Sequence, residues 1–335
     1  MEQKLKYIAG IDISKKTFDI NISDNSLKAL QVNYKLFENN LKGFKQLKKW
    51  LKALKIDFSE VLFCMENTGI YHRLLASYLN AEKAFVWVEN GTQIKWSMGV
   101  QRGKNDKVDS ERIMTYAKRH IDRAKQYEEK DTALQQVSDL LAVRKRLIDC
   151  VKRLKVPVKE LKSAGLKDQA QQIIKVSAKS IKALENDIEK VEMMIKDLIK
   201  NNEELNEVYT YTTSVKSVGF VAASYLLVYT NGFTRFTSSK QIASYCGIAP
   251  FEYSSGTSIK GRTRVHHMAN KDLKSILHMC AISALASNEE MKVYFKRKVD
   301  EGKNKMLVIN AVRNKILARV FSCVKNKKMY EPFIV

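Results

Sequence analysis

The sequence predicts a mixed α/β domain at the N-terminus, a helical arm after it, and a mainly helical C-terminal domain. Short apolar runs typical of buried strands alternate with helical patterns over the first third of the chain. Apolar residues then recur every seven positions, and the last third consists largely of apolar segments with helical spacing. Three prolines in 335 residues favour long uninterrupted helices. We place the three domains at 1–128, 129–207 and 208–335.

The charge balance indicates a polyanionic partner. Lysine and arginine outnumber the acids to give a formal net charge of +23, which points most often to nucleic acid. A membrane surface is the competing partner, but no apolar run approaches the roughly 20 residues that span a bilayer. The first ten residues lack the apolar core of a signal peptide. The five cysteines are scattered without zinc-ligand spacing. We expect a cytoplasmic protein.

The first elements predict a sheet with an acid inside it. Residues 7–13, YIAGIDI, have the composition of a strand entering an apolar core, and Asp12 falls within them. A carboxylate in a buried strand is costly unless it is paired, protonated or bound to metal. Residues 17–22 alternate apolar and polar side chains, which predicts the returning strand of a hairpin. Residues 30–37 predict a third strand and residues 41–54 a helix.

A second buried strand also ends at an acid. Residues 61–65, VLFCM, predict that strand, and Glu66 follows it directly. A helix over 71–79 and a short strand over 85–88 come next, before a basic, glycine-containing loop.

Two more acids begin the next predicted helix. Asp106 and Asp109 are three residues apart and therefore share one helix face. Taken alone, this pair is explained by acids that favour a helix N-terminus. Together with Asp12 and Glu66, the pair forms a set of four carboxylates on strands and on a helix that packs against them. Hard oxygen ligands of this kind suit Mg²⁺ or Mn²⁺, and two such ions could assist a phosphodiester displacement.

The predicted arm contains two heptad patterns. Leu140, Leu147, Leu154 and Leu161 recur in the first, and isoleucines at 174, 181, 188 and 195 recur in the second. Gly165 predicts the turn between the two helices, and Pro157 should kink or end the first. Arg144 occupies a position where an apolar residue would fit the first seam. An intramolecular helical hairpin and a dimerisation arm both explain these patterns.

The C-terminal domain begins with a glycine turn. Residues 213–227 predict a turn at Gly219 and then an apolar helix, which resembles a helix-hairpin-helix element that offers backbone N–H groups to a phosphate. Core packing explains the same segment equally well. Further helices are predicted over 271–286 and 305–320, the second with Arg313, Lys315 and Arg319 on a basic face.

A polar segment between two apolar helices is the second candidate site. Residues 248–267, IAPFEYSSGTSIKGRTRVHH, show neither helical nor strand periodicity and predict a loop. Ser254 and Ser255 supply hydroxyls, and the cations that follow could hold a phosphate: Lys260, Arg262 and Arg264. The alternative for this segment is a surface hairpin with a solvated basic flank.

Four segments of the chain carry a family resemblance. GIDIS, MENTGIY, GKNDKVDSERI and GIAPFEYSSGTSIKGRTRV occur in this order. With them the chain resembles the DEDD-type insertion-sequence transposases related to the Piv DNA invertase, insertion-sequence family 110. The resemblance implies a ribonuclease-H-like N-terminal domain, similar to Holliday-junction resolvases, with its four acids at Asp12, Glu66, Asp106 and Asp109. The family commonly has Lys-Thr-Asp where this chain has Lys104-Asn105-Asp106.

The resemblance also implies the chemistry. It assigns Ser255 as the nucleophile of a DNA transposase or recombinase, with Ser254 as a weaker candidate and Mg²⁺ or Mn²⁺ as cofactor. His266 and His267 are better explained as phosphate contacts or exposed residues than as bases. The implied partners are donor and target DNA, a guide RNA encoded by the element, and further copies of the chain in a dimer or tetramer assembled through the coiled coil. Expected nucleic-acid contacts are Lys260, Arg262, Arg264, Lys104 and Gly219.

Two other functions remain open from the residues alone. The first is a metal-dependent junction-resolving nuclease, in which the acids activate water and the serine segment only binds DNA. The second is a coiled-coil nucleic-acid scaffold without catalysis, which the placement of Asp12 in a buried strand disfavours.

Overall fold

The chain folds into two compact units, Met1–Glu129 and Lys130–Val335. In the described part of the chain, no helix is both long and apolar enough to cross a membrane. The structure is a computed structural model that describes residues 5–25, 32–99, 105–129, 131–255, 259–265 and 269–331. Side chains are described throughout these ranges except over 251–264.

A five-stranded mixed sheet forms the centre of the first unit. Its order is β3-β2-β1-β4-β5, with β2 antiparallel to both β1 and β3, and β4 parallel to both β1 and β5. The strands are β1 (Tyr7–Ile13), β2 (Thr17–Asp24), β3 (Asn33–Glu38), β4 (Val61–Glu66) and β5 (Phe85–Glu89). All five predicted strands are therefore confirmed. The third begins at Asn33, and residues 26–31 lie outside the described residues.

In the described residues of this unit, four α-helices accompany the sheet. They are α1 (Leu41–Ala53), α2 (Arg73–Ala81), α3 (Gly91–Ser97) and α4 (Asp106–Arg119). Helix α1 buries Phe44, Leu47 and Leu51 and leaves its lysines outside, as its spacing predicts. Helix α3 was not predicted, because seven residues are too few to establish a helical period. Its start is stabilised by the Asn90 side chain, which accepts a hydrogen bond from the backbone of Thr92.

The two faces of the sheet are covered differently. On one face, Phe18, Ile20 and Ile22 of β2 join an apolar core with α1 and α2. On the other face, Ile8 of β1 packs with apolar residues of α4, among them Ile113. The polar residues of β2 lie on this second face and are buried, since Asp19, Asn21 and Ser23 are 7%, 2% and 3% exposed.

Gly10 lets α4 approach β1 to backbone contact. A Cβ atom at this position would lie 2.1 Å from the backbone nitrogen of Met114 and 2.2 Å from the carbonyl oxygen of Ser110. Both neighbours are main-chain atoms, which cannot rotate away as a side chain can. The position therefore requires glycine for space, not for a special backbone conformation.

We expect Gly10→Ala to displace α4 and to destabilise the first unit by about 3 kcal/mol, the upper range for overpacking a core. Urea unfolding followed by circular dichroism measures the change. Gly219→Ala is the control, because a Cβ there meets no atom within 4 Å. An unfolding midpoint of Gly10→Ala equal to that of the wild type would contradict the packing described above.

The second unit begins with a long helical hairpin. Helices α5 (Thr132–Ser163) and α6 (Lys167–Lys200) pack against each other, and Gly165 forms the predicted turn in the left-handed region, with φ of 83°. Pro157 lies inside α5 and does not end it. Pro157 is exposed, so the carbonyl group that loses its intrahelical partner can be hydrated. Arg144 in the predicted seam donates from Nε to Glu192 of α6 at 2.7 Å.

The remaining helices form one apolar core with the base of this hairpin. That core includes Leu134 and Val137 of α5 and Ile195 and Ile199 of α6. The other helices are α7 (Glu203–Ser214), α8 (Phe220–Thr230), α9 (Ser239–Tyr245), α10 (Lys271–Ser287), α11 (Glu289–Asp300) and α12 (Lys305–Asn326). The sequence patterns did not predict α7 or α11. The division of this unit at 207/208 stays a prediction.

The predicted basic face of α12 needs one correction. Arg313 is 6% exposed, and its Nη2 lies 2.6 Å from Nδ1 of His278 on α10. Burial lowers the pKa of Arg313. The expectation failed because helical spacing alone does not show which face meets a neighbouring helix.

Candidate functional site

Three of the predicted acids converge in the first unit. Asp12, Asp106 and Asp109 each offer a carboxylate oxygen, and these oxygens all lie within 4.8 Å of one another. Asp12 comes from β1, whereas the other two occupy the first turn of α4. Asn105 begins that helix, because its side chain accepts a hydrogen bond from the Lys107 backbone at 3.0 Å. Residues 94 positions apart in the sequence therefore form one acidic cluster.

Glu66 lies beside this cluster. Ile11 and Met65 are partners in the parallel pair of β1 and β4, so Asp12 and Glu66 follow at adjacent positions of neighbouring strands. The Glu66 carboxylate rests against Gly91, where a Cβ atom would lie 1.9 Å from Oε1. Within the described residues, the converging group consists of the three aspartates, and Glu66 stands next to it.

The cluster raises the pKa of Asp12 to about 6 from 3.8. Burial is the largest cause, and the negative charges of Asp106 and Asp109 come next, followed by those of Glu66 and Asp19. The guanidinium of Arg112 offsets part of this negative charge, since it donates to Asp109 at 2.7 Å. The remaining repulsion means that a bound cation would stabilise the ionised form of Asp12.

The donor set fits a hard divalent cation. Mg²⁺ prefers carboxylate oxygens at about 2.0–2.1 Å, so two ligand oxygens on one ion stand roughly 3–4 Å apart. The separations in the cluster reach 4.8 Å at most and are close to this spacing. Among the residues that the structure describes, the group consists of aspartates without cysteine or histidine, and this donor set favours Mg²⁺ or Mn²⁺ over zinc.

The residues that hold α4 over the sheet carry no functional signature in the sequence and were not predicted. Asn21 of β2 donates to the carbonyl oxygen of Lys107 at 2.9 Å and to Oγ of Ser110 at 2.8 Å. Tyr34 of β3 donates to Asp19 at 2.6 Å. The polar residues at every second position of β2 predicted a strand. They did not predict that a helix buries these polar residues, because that burial depends on the tertiary fold.

The serine segment forms a hairpin, which is the alternative stated for residues 248–267, and not the loop without strands that its lack of periodicity predicted. Strands β6 (Pro250–Ser255) and β7 (Ile259–Val265) pair antiparallel, and Ser254 and Ser255 lie opposite Lys260 and Ile259. The segment lacks alternation, but main-chain pairing does not require it. Gly256 and the two histidines at 266 and 267 lie outside the described residues.

Both ends of the hairpin are attached to helices of the second unit. The carbonyl oxygen of Ile248 accepts hydrogen bonds from the side-chain amides of Asn310 at 2.7 Å and Asn314 at 3.0 Å. After β7, the backbone of Asn270 donates to the carbonyl oxygen of Tyr245 at 2.9 Å. The position of the serine-bearing strand therefore depends on α12 and on the end of α9.

The other predicted nucleic-acid contacts lie at the start of α8, on β7 and in a segment outside the described residues. Gly219 is exposed at the start of α8, which has no side-chain cap. Nearby, Lys196 lies over the Phe220 ring at 4.9 Å. Arg262 and Arg264 belong to β7 together with Lys260, whereas Lys104 lies outside the described residues.

Comparisons with known proteins agree over most of the chain. A protein-family model that describes the DEDD-type transposase of IS110 matches residues 9–161. A second model, for the transposase IS116/IS110/IS902 family, matches residues 209–296. The two matches include all four acids and the serine hairpin.

Curated relatives point the same way. The pilin gene-inverting proteins of Moraxella bovis and Moraxella lacunata are each 26% identical over 333 residues, which covers 97% of this chain and 98% of each relative. An IS110 protein of 43.6 kDa from Streptomyces coelicolor is 29% identical over 119 residues, or 36% of this chain and 29% of the relative. With both family models matched in order, the chain belongs to the IS110 family of transposases and DNA invertases.

Proposed function

We propose that the chain is a DNA transposase that cuts and rejoins strands of its own mobile element. Ser255 is the nucleophile in this proposal, and the residues that hold Mg²⁺ or Mn²⁺ are Asp12, Glu66, Asp106 and Asp109. The observation that carries it is the convergence of three aspartates beside Glu66 in a chain of this family. The strand order, three antiparallel strands continued by two parallel ones, supports a ribonuclease-H-like fold for 1–128.

The acids would bind a divalent metal ion next to the reacting phosphate. A divalent ion bound there would neutralise the charge that develops on the phosphate during displacement. Asp12 projects from a rigid central strand, and the other two aspartates project from a helix in backbone contact with that strand. This rigidity favours a fixed coordination geometry.

The serine would conserve the energy of the broken bond. Its oxygen forms a bond to phosphorus, the bond from phosphorus to one deoxyribose oxygen breaks, and the leaving hydroxyl takes up a proton. The phosphoserine ester can then be attacked by a DNA hydroxyl, which rejoins the strand without a nucleotide cofactor. A serine hydroxyl needs activation for this step.

The proposed partners follow from charge and family. DNA contacts are assigned to Lys260, Arg262, Arg264, Lys104 and Gly219, because cations and an uncapped helix start attract phosphates. A net charge of +23 also suits a guide RNA. The α5–α6 hairpin is the proposed coiled-coil contact of a dimer or tetramer, since Val176 is 86% and Met193 55% exposed on it.

Trapping of the covalent intermediate tests the proposal. The full chain is incubated with Mg²⁺, co-purified nucleic acid and nicked element-end DNA, denatured, digested and mapped by mass spectrometry. The expected result is a nucleotide attached to the peptide that contains Ser255. Cleaved DNA with free hydrolytic ends and no peptide adduct would instead establish the junction-type nuclease with activated water.

Gly91→Ala tests the place of Glu66 in the site. The added methyl group must push the Glu66 carboxylate away, since a Cβ would lie 1.9 Å from its Oε1. We expect the affinity for Mn²⁺ to fall about tenfold, as for residues that orient metal ligands. Isothermal titration measures the affinity, with Thr92→Ala on the same helix as control. An unchanged affinity in Gly91→Ala would remove Glu66 from the metal site.

A further inference from the structure

The buried polar row of β2 faces the helix that carries two of the acids. Register pairs Ile8 with Ser23, Gly10 with Asn21, and Asp12 with Asp19. Asn21 therefore lies beside the glycine at which α4 touches the sheet, one position along the face from the acidic cluster.

Asn21 binds the first turn of α4 at two points. Its side-chain amide donates to the carbonyl oxygen of Lys107 at 2.9 Å and to the hydroxyl of Ser110 at 2.8 Å. That hydroxyl also donates to the same Lys107 carbonyl at 2.9 Å. Asn21 is 2% exposed and Ser110 is fully buried, so water does not compete for these bonds.

Each of the two contact points directly follows a metal-ligand position in the sequence. Asp106 precedes Lys107 directly, and Asp109 precedes Ser110 directly. Neither contact involves a carboxylate, so both leave the acids free for a ligand. The ammonium of Lys107 lies over the Tyr34 ring at 4.8 Å and adds a further contact between this turn and the sheet.

We propose that Asn21 is a positioning residue that fixes the first turn of α4 and thereby sets Asp106 and Asp109 in register with Asp12. This inference rests on the metal role assigned above to the acids. Without Asn21, the apolar contacts of Ile113 and Met114 would still dock the helix, but its first turn would lack a fixed partner on the sheet.

Ser23 provides a matched control on the same strand face. It is 3% exposed, and its hydroxyl contacts the sulfur of Met114 at 3.4 Å, more than one helical turn beyond Asp109. Ser23→Ala therefore removes a buried polar contact between β2 and α4 without touching the first turn.

The test compares Asn21→Ala with Ser23→Ala in the full-length chain. Amide hydrogen exchange is measured on the peptide covering residues 105–113, and Mn²⁺ affinity is measured by titration. For Asn21→Ala we expect faster exchange in that peptide and an affinity reduced about tenfold, as for other residues that orient metal ligands. For Ser23→Ala we expect both values to match the wild type.

The results separate this inference from the metal assignment. A folded Asn21→Ala protein with wild-type exchange in the first turn and wild-type Mn²⁺ affinity overturns the positioning role. A wild-type chain that binds no Mn²⁺ overturns the metal assignment, and the exchange comparison alone then decides the role of Asn21. If Asn21→Ala does not fold, the milder Ser110→Ala variant decides by the same two measurements.

Discussion

Asp12→Asn is expected to reduce DNA strand cleavage and joining by more than about a hundredfold, because even residues outside the first ligand sphere of a metal cost 10- to 100-fold. The substitution keeps the size of the side chain but removes the charge that a divalent ion would neutralise. Cleavage of element-end DNA at saturating Mg²⁺ measures the effect. Asp122→Asn is the control, because the Asp122 side chain is 73% exposed in the same unit. Wild-type cleavage by Asp12→Asn would remove Asp12 from the mechanism.

The same variant is expected to stabilise the metal-free protein near neutral pH. The pKa of Asp12 is raised to about 6 from 3.8, so the folded state binds this proton more tightly than the unfolded state. The contribution of Asp12 to stability is therefore greatest below about pH 4 and is lost as the pH rises through 6. Partial solvent exposure reduces the expected loss to about 1–2 kcal/mol.

Urea unfolding in a chelator measures this loss as the difference between wild type and Asp12→Asn at pH 4 and pH 7. The variant should gain stability relative to wild type as the pH rises, because asparagine does not ionise. If the difference in unfolding free energy between wild type and variant does not change with pH, the cluster does not raise the pKa of Asp12.

Ser255→Ala is expected to abolish the covalent protein–DNA adduct completely while leaving DNA affinity within about fivefold, since one neutral hydrogen bond contributes about 1 kcal/mol to binding. Adduct formation is followed by denaturing electrophoresis, and affinity by filter binding at constant salt.

Ser254→Ala is the matched control for that experiment. Both serines belong to β6, so the two variants remove the same hydroxyl group from neighbouring positions of one strand. If the adduct is lost in Ser254→Ala and persists in Ser255→Ala, the nucleophile is Ser254 and not Ser255. If the adduct persists in both variants, neither serine of this hairpin is the nucleophile.

Local patterns predicted the strands of the sheet and most of the longer helices, but not the contacts among them. The strands of the sheet and the start of α4 follow from short-range periodicity and from the acids near a helix start. The backbone contact at Gly10 involves residues about a hundred positions apart, and no local pattern contains it. The burial of Asn21 and Arg313 was missed for the same reason, because each is covered by an element distant in sequence.

For the serine hairpin, the sequence predicted a candidate site better than it predicted the secondary structure. The polar and basic composition of residues 248–267 predicted a candidate site, whereas the lack of alternation favoured a loop and left the hairpin as the alternative. What positions the hairpin is the attachment of Ile248 to Asn310 and Asn314, two residues that carry no functional signature in the sequence.

The contact at Gly10 has a consequence for how the family can vary. A side chain at this position meets main-chain atoms of Ser110 and Met114, which every amino acid has, so no substitution in α4 can compensate for it. Asn21 and Ser110, by contrast, meet through side chains and can be exchanged together for another matched pair. Among relatives we therefore expect Gly10 to be invariant, and positions 21 and 110 to covary.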